Sequence, residues 1–384
     1  MSFRVPFAEL VAPLAVDRFL DEYWTRRAAH LCVSGRTFSD RFGWDGVNAI
    51  LNARGAGASK VRVVLKGNEI PESAVDRHAV LGWFDQGATL VLTQADSHWP
   101  PLADVVRGVQ DFFLEDVNAN VYCSPGEIQG VDCHYDLHEV FVLQVEGAKR
   151  WRIFEPTSDA PLERFKREDA PAENATPYLD VVLRKGEVLY VPRGHWHYAV
   201  ADGSASVHVT IGVRCRTGKS FLDWLAGELN AQACWRRNLP LADRPAGAEW
   251  AAQLKRSLVD KLGEPDLFDR FHASTRASSR VAPEVNAPYQ IEAEDVPVAA
   301  LRFARPTGRR PVVTEETPGQ VTVSSGASEL ALEGVDASLL RQLFAAESFT
   351  ADDVAQWRPG IDMDDVAGLL TAFVKSGLLL ASRD

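Results

Sequence analysis

Two rhythms of apolar and polar residues run along this chain, and the switches between them mark its parts. From Phe7 to about Trp24, FAELVAPLAVDRFLDEYW repeats apolar residues at helical spacing and is broken at Pro13, which predicts a short helical start. A short strand HLCV follows, then a helix over Asp45 to Leu51. A β-branched strand over Val61 to Leu65 leads into a Gly67-Asn68 turn, and Gly87 to Thr93 is an apolar strand. Trp99 to Leu114 puts Leu102, Val105, Val106, Val109 and Phe113 on one side, as an amphipathic helix does.

From Asn120 the strand signals come quickly. Glu139 to Val145 is dense in β-branched and aromatic residues, Glu146-Gly147 turns the chain, and Lys149 to Phe154 returns. Ser158 to Thr176, polar and rich in Pro and Ala, predicts a surface excursion. Tyr178 to Leu183, Val188 to Val191, His197 to Ala201 and Ala205 to Arg214 are four further strands. Many short strands with no helices between them predict a barrel or sandwich, and closure around one point gives a double-stranded β-helix.

After Gly218 the helical rhythm returns. Lys219 to Ala233 and Ala246 to Leu262 flank NLPLADRP, and Trp224, Leu225, Leu229, Trp235, Trp250, Leu254 and Leu258 make an apolar face too rich for a lone hairpin. It must pack on the barrel or on another chain. Ala273 to Pro288 reads as a linker. Strands at Ala300 to Phe303 and Gln320 to Ser324 come next, with helices at Ser338 to Phe344, Ala351 to Trp357 (Thr350 as N-cap) and Met363 to Ser376, and a closing strand at Leu378 to Ala381. That order predicts a winged helix. The expected fold class is mainly β plus α: a barrel over residues 1–217, a helical segment and linker over 218–288, and a winged-helix-like domain over 289–384.

Composition narrows the function. A net charge of −12 argues against broad nucleic-acid binding and suits a basic protein or peptide partner. The expected recognition helix carries Asp364 and Asp365 near its start, which would repel phosphates, so direct DNA binding is not expected. Five cysteines with no C-x-x-C spacing argue against a disulfide framework or a zinc knuckle, and Cys133 reads as a buried thiol. No apolar run approaches membrane-spanning length, and acidic residues come too early for a signal peptide, so a cytoplasmic protein is expected.

The candidate chemistry lies in two segments. His134-Tyr135-Asp136 sets an imidazole and a carboxylate two residues apart, on the same side of an extended chain. His197 follows a Pro-Arg-Gly turn in Gly186-x5-Pro192-x-Gly194-x2-His197. Two histidines and one carboxylate are a set that holds Fe(II) on one face and leaves positions open. The run NVY…HYD…EVFVLQVEG.K.W, with the second segment, resembles the JmjC-type, cupin-fold 2-oxoglutarate oxygenases, specifically the ribosomal oxygenase subfamily of protein hydroxylases. Ala201 stands where the cupin pattern has Asn.

The resemblance implies His134, Asp136 and His197 as iron ligands, Lys149 as the 2-oxoglutarate-binding lysine, and Asn120 and Tyr122 lining the pocket. It also implies a homodimer through the helical segment and a protein substrate, with ribosomal proteins first in view. Lys149 shares strand parity with Trp151 and Ile153, so it either meets an anion inside the barrel or snorkels at its mouth. His138 reads as a neighbour of the ligands or a substrate-facing residue, His195 as a loop residue and His208 as a core histidine. Two alternatives stay open: a cupin-type metal oxygenase acting on a peptide or small molecule, and a non-catalytic cupin/winged-helix regulator.

Overall fold

The computed structural model of the chain describes residues 6–52, 61–71, 79–127, 129–163, 169–172, 174–241, 247–277, 286–287, 289–291, 297–306, 311–317, 319–325 and 328–383. The chain forms two compact units, Met1–Cys215 and Arg216–Asp384.

The first unit opens with helices α1 (Phe7–Val11) and α2 (Val16–Glu22), strand β1 (Ala29–Leu31) and helix α3 (Trp44–Asn52). It continues with β2 (Val61–Leu65), β3 (Asn68–Glu69), α4 (Ala79–Asp85), β4 (Thr89–Leu92) and α5 (Pro100–Phe113). Then come β5 (Asp116–Ser124), β6 (Glu139–Glu146), β7 (Ala148–Phe154), β8 (Leu179–Arg184), β9 (Val188–Val191), β10 (Trp196–Ala201) and β11 (Ser206–Arg214). An eight-stranded sheet runs β1-β9-β6-β11-β5-β4-β2-β3, and a three-stranded sheet runs β10-β7-β8. Every pairing in both is antiparallel.

β6 shows why these residues form this barrel. Its odd positions Phe141 and Leu143 pack with Phe7, Phe19, Val105 and Val109 of the covering helices. Its even positions Val140 and Val142 pack with Trp151, Ile153, Leu183 and Leu189 between the two sheets. Both faces are buried, so the strand reads as an unbroken apolar run rather than an alternation. Gly147 turns β6 into β7 at φ +66°, and a Cβ there would stand 2.4 Å from the Ala205 carbonyl oxygen, so only glycine fits.

In the second unit, Thr217 and Ser220 form a reciprocal capping box at the start of helix α6 (Gly218–Leu229). Helices α7 (Ala233–Arg236), α8 (Gly247–Leu262) and α9 (Leu267–Ala277) follow. Leu225, Leu229 and Leu267 are buried here against Phe221, Trp224, Trp235 and Leu258, while Leu222, Val259 and Phe268 stay about 60% exposed. The linker expected over 273–288 is corrected at its start, because residues 273–277 extend α9. Leu267 and Phe271, one turn apart and both buried, anchor that helix. Residues 278–285 and 288 lie outside the described residues.

Strands β12 (Arg302–Ala304), β13 (Val312–Thr317), β14 (Gln320–Ser325) and β15 (Ser328–Glu333) precede helix α10 (Ala337–Ala345). Strand β16 (Ser348–Thr350), helices α11 (Ala351–Trp357) and α12 (Met363–Lys375) and strand β17 (Leu380–Ser382) complete the unit. β16-β12-β17 and β13-β14-β15 form two small sheets around Phe303, Leu340, Phe349, Leu370 and Phe373. Thr350 caps α11 in a second capping box, with Asp353 as the returning carboxylate.

Candidate metal centre and pocket

His134 lies just before β6 and forms an isolated antiparallel bridge with His197 at the start of β10. The His134 amide donates to the His197 carbonyl at 3.1 Å, and the His197 amide returns the bond at 2.7 Å. The two imidazoles lie 4.5 Å apart between ring centroids. The Asp136 carbonyl accepts from the Gly194 amide at 3.0 Å, tying the third residue to the Pro-Arg-Gly turn. Asp136 Oδ2 lies 3.5 Å from His197 Nε2, and one ligand atom from each of the three residues fits within 4.8 Å of the others.

The tautomers suit metal binding. His134 Nδ1 lies 2.8 Å from the Asp132 carbonyl and His197 Nδ1 lies 2.9 Å from the His195 carbonyl. A carbonyl only accepts, so each Nδ1 carries the proton and each Nε2 presents a lone pair to the shared point. Burial lowers the basicity of His197 to about 4, with His134 adding to the effect, so this imidazole is neutral. Burial alone would raise the Asp136 carboxyl. The imidazoles of His134 and His197 outweigh it and hold the group below the usual carboxylate range. Two imidazole nitrogens and a carboxylate, all on one side, fit a divalent cation with open positions.

A pocket runs from this triad into the barrel, walled by Val140, Val142, Trp151 and Ala199. Its polar lining comes from Thr89, Tyr122, Lys149, His208 and Thr210. Lys149 is 3% exposed and donates to Ser124 Oγ at 2.8 Å, and that hydroxyl is 2.8 Å from Thr89 Oγ1. No carboxylate pairs with the ammonium among the described ion pairs, and burial pushes its pKa down from 10.5 to about 7. The snorkelling alternative therefore falls away, since the side chain is enclosed. Among the described residues, Trp151 Nε1 and His208 Nδ1 are buried without a hydrogen-bond partner. Three buried donor-capable groups around one pocket are an arrangement that a polyoxygenated anion would satisfy.

Tyr122 and His208 stack face to face at 4.8 Å, and burial keeps both neutral at physiological pH. Asn120 shares the strand face of Tyr122, but its amide oxygen accepts from the Gln94 amide at 3.0 Å, and it does not line this pocket. His195 sits in the turn with Nδ1 2.8 Å from the Tyr178 hydroxyl, and burial takes its pKa down to about 4. His138 lies in a wider cleft that also takes in His134 and Asp136, with Arg62, Asp132, Tyr135 and Arg214, and its ring packs on Gly212.

Sequence reasoning missed Thr89, Ser124 and Gly130. Ser124 had the parity of Tyr122, which was a usable signal. Thr89 and Gly130 had none, because they arrive through β4 and through an irregular segment bridged to β10.

Residues 99–221 match the JmjC domain family. The bifunctional lysine-specific demethylase and histidyl-hydroxylase NO66 of Drosophila persimilis is 30% identical over 212 residues, covering 53% of this chain and 31% of that protein. The protein of the same name from Aedes aegypti is 27% identical over 296 residues, covering 69% of this chain and 46% of that one. The chain thus spans less than half the length of these curated relatives. Among solved structures, YcfD, a ribosomal oxygenase from Escherichia coli in complex with cobalt and 2-oxoglutarate, aligns at a TM-score of 0.64 and 19% identity, over 96% of this chain and 99% of that one. Its complex with cobalt and succinic acid aligns at 0.66 and 18%, over 96% and 99%. This likeness extends the shared fold to nearly the whole chain.

Proposed function

We propose that the chain is an Fe(II)- and 2-oxoglutarate-dependent oxygenase of the ribosomal oxygenase type, hydroxylating an amino-acid side chain of a protein. One observation carries the reading: the His134, Asp136 and His197 triad and a buried, carboxylate-free Lys149 line the same pocket. The triad holds iron, and Lys149 pairs with the distal carboxylate of the co-substrate. On the β7–β10 pairing Lys149 lies opposite Ala201, four residues along β10 from His197. That offset is about 13 Å of strand, a length that a lysine side chain and a five-carbon dicarboxylate bridge together.

When bound, iron and 2-oxoglutarate supply the oxidant: O₂ gives one oxygen atom to succinate, with loss of CO₂, and one to the target C–H bond. The chain's own residues hold, orient and exclude water. The Asp132 and His195 carbonyls hold the Nδ1 side of each ring and so aim the two Nε2 atoms at the metal position. Val140, Val142 and Trp151 keep the inner pocket dry. Tyr122 contacts the co-substrate, and Asn120 acts indirectly, tying β5 to the Gln94 backbone beyond β4.

The substrate is a protein. The ribosomal oxygenase name of the structural neighbours and the hydroxylase name of the relatives support that choice, and a ribosomal protein is the first candidate. The exposed Leu222, Val259 and Phe268 support a homodimer through the helices after Gly218. The order of small strands and three helices from β12 to β17 supports a winged helix, and Asp364 and Asp365 in the first turn of α12 weigh against DNA as its partner. Five free cysteines suit a reducing compartment, in keeping with a cytoplasmic protein.

The test is intact-mass analysis of ribosomal proteins incubated with the anaerobically iron-loaded protein, 2-oxoglutarate and then air. A gain of one oxygen on one protein, absent with His197→Ala, is the expected result. Succinate release that no ribosomal protein stimulates would overturn the substrate assignment.

A further inference from the structure

We infer that His30, Cys32 and Glu187 form a second metal site, separate from the triad, that takes a zinc-class divalent cation. His30 on β1 and Cys32 just beyond it are two residues apart and share a side. β1 pairs antiparallel with β9, His30 opposite Leu189 and Leu31 opposite Val188, which brings Cys32 across from Glu187. His30 Nε2 lies 2.9 Å from Glu187 Oε2 and 3.2 Å from Cys32 Sγ, and the three donor atoms all fall within 4.8 Å of one another. Tetrahedral zinc, with bonds of about 2.0 Å to nitrogen or oxygen and about 2.3 Å to sulfur, needs its ligand atoms roughly 3.3–3.8 Å apart. Small side-chain rotations therefore open this cluster around a cation.

The surroundings hold the donors in place. Glu187 Oε2 also accepts from the Arg184 amide at 2.9 Å, which orients the carboxylate. The Arg36 guanidinium ties the two strand ends together, donating to the Leu31 carbonyl at 2.6 Å and to the Gly186 carbonyl at 2.7 Å. Its charge favours a Cys32 thiolate. Burial and the Glu187 carboxylate act the other way and push the thiol up, so a bound cation would release its proton. One sulfur, one nitrogen and one oxygen donor suit Zn(II) or Co(II) rather than Mg²⁺ or Ca²⁺. Three protein ligands leave a fourth position for water, and exposed Cys32 gives the ion a way in.

Cobalt decides it, because the His134, Asp136 and His197 site contains no sulfur. The reduced, chelator-stripped full chain is titrated with Co(II) alone, and a thiolate-to-cobalt charge-transfer absorption is followed. The band should appear in the parent, saturate at one ion per chain in His134→Ala, vanish in Cys32→Ser and be bleached by Zn(II). His30→Gln and Glu187→Gln should weaken it by more than the roughly 10–100-fold that changes around a metal's ligands cost. Absence of the band, or its survival in Cys32→Ser, overturns the proposal and leaves only a hydrogen-bonded surface triad. Should Glu187→Gln fail to fold, Cys32→Ser at its exposed position carries the decision alone.

Discussion

Replacing Lys149 with methionine should make the ligand-free protein more stable and the co-substrate site much worse. The structure encloses the ammonium with one hydroxyl partner, Ser124, and burial moves its pKa from 10.5 to about 7. At about 1.4 kcal/mol per pH unit, that gap sets an upper bound of about 5 kcal/mol on what the fold gives up to keep a charged lysine there. Relaxation and entering water reduce the realised figure. Methionine is similar in length and leaves no orphan, because Ser124 and Thr89 still bond each other at 2.8 Å.

The pH dependence follows from linkage. Between pH 7 and 10.5 the unfolded chain binds more protons at this lysine than the folded one, so this contribution to stability rises with pH in that window. Below pH 7 both states are protonated and the penalty is full; above 10.5 it is gone. The advantage of Lys149→Met should therefore be largest at or below neutral pH and shrink toward pH 10. Against that gain, 2-oxoglutarate would face a buried carboxylate without its partner, a loss of about 3–5 kcal/mol, or roughly a hundred- to several-thousand-fold in affinity. Lys149→Glu should be worse still. Denaturant melts across pH and anaerobic titrations of 2-oxoglutarate into iron-loaded protein read the two effects separately. A variant no more stable than the parent at pH 7, with affinity within a few-fold, would refute both the buried-charge and the co-substrate argument.

Three further outcomes are expected. His134→Ala and His197→Ala should lose iron binding and 2-oxoglutarate turnover yet melt as folded proteins, since the core between the sheets is apolar without them; retained 2-oxoglutarate consumption in either would sink the triad. Gly130→Ala places a Cβ 2.1 Å from Thr89 Oγ1, in a pocket whose Thr89–Ser124–Lys149 chain must then shift; overpacking of about 1–3 kcal/mol should appear as roughly five- to a hundredfold weaker 2-oxoglutarate binding, with iron binding unchanged by titration. Light scattering at micromolar concentration should give a dimer for the parent and a monomer for the double variant Leu222→Glu, Phe268→Glu, both sites being exposed apolar positions; a monomeric parent would count against the interface.

The barrel was legible because its strands announce themselves twice, once by β-branched density and once by turn residues that nothing else can replace. Gly147 at φ +66° and Gly194 at φ +85° stand where the sequence had placed turns. β13 and β15 were not legible for a related reason. β15, SELALE, alternates half-buried and exposed positions, but with acidic residues and alanine among them it reads equally as a helix surface. The same limit explains the site. Parity along one strand says which side a residue faces, so Lys149 could be set beside Trp151 and Ile153, and the same i and i+2 spacing paired His134 with Asp136 although that segment is a bridge and not a strand. It does not say which strands meet, so Thr89 and Gly130, brought by pairings far apart in the chain, stayed hidden. His30, Cys32 and Glu187 follow the same grammar as the triad: a pair two residues apart and a third donor from an antiparallel neighbour. No Pro-x-Gly turn marks that third donor. A pair at i and i+2 is too common to stand out, and only the β1–β9 register, bringing Glu187 across from Cys32, turns two ordinary side chains into a set of ligands.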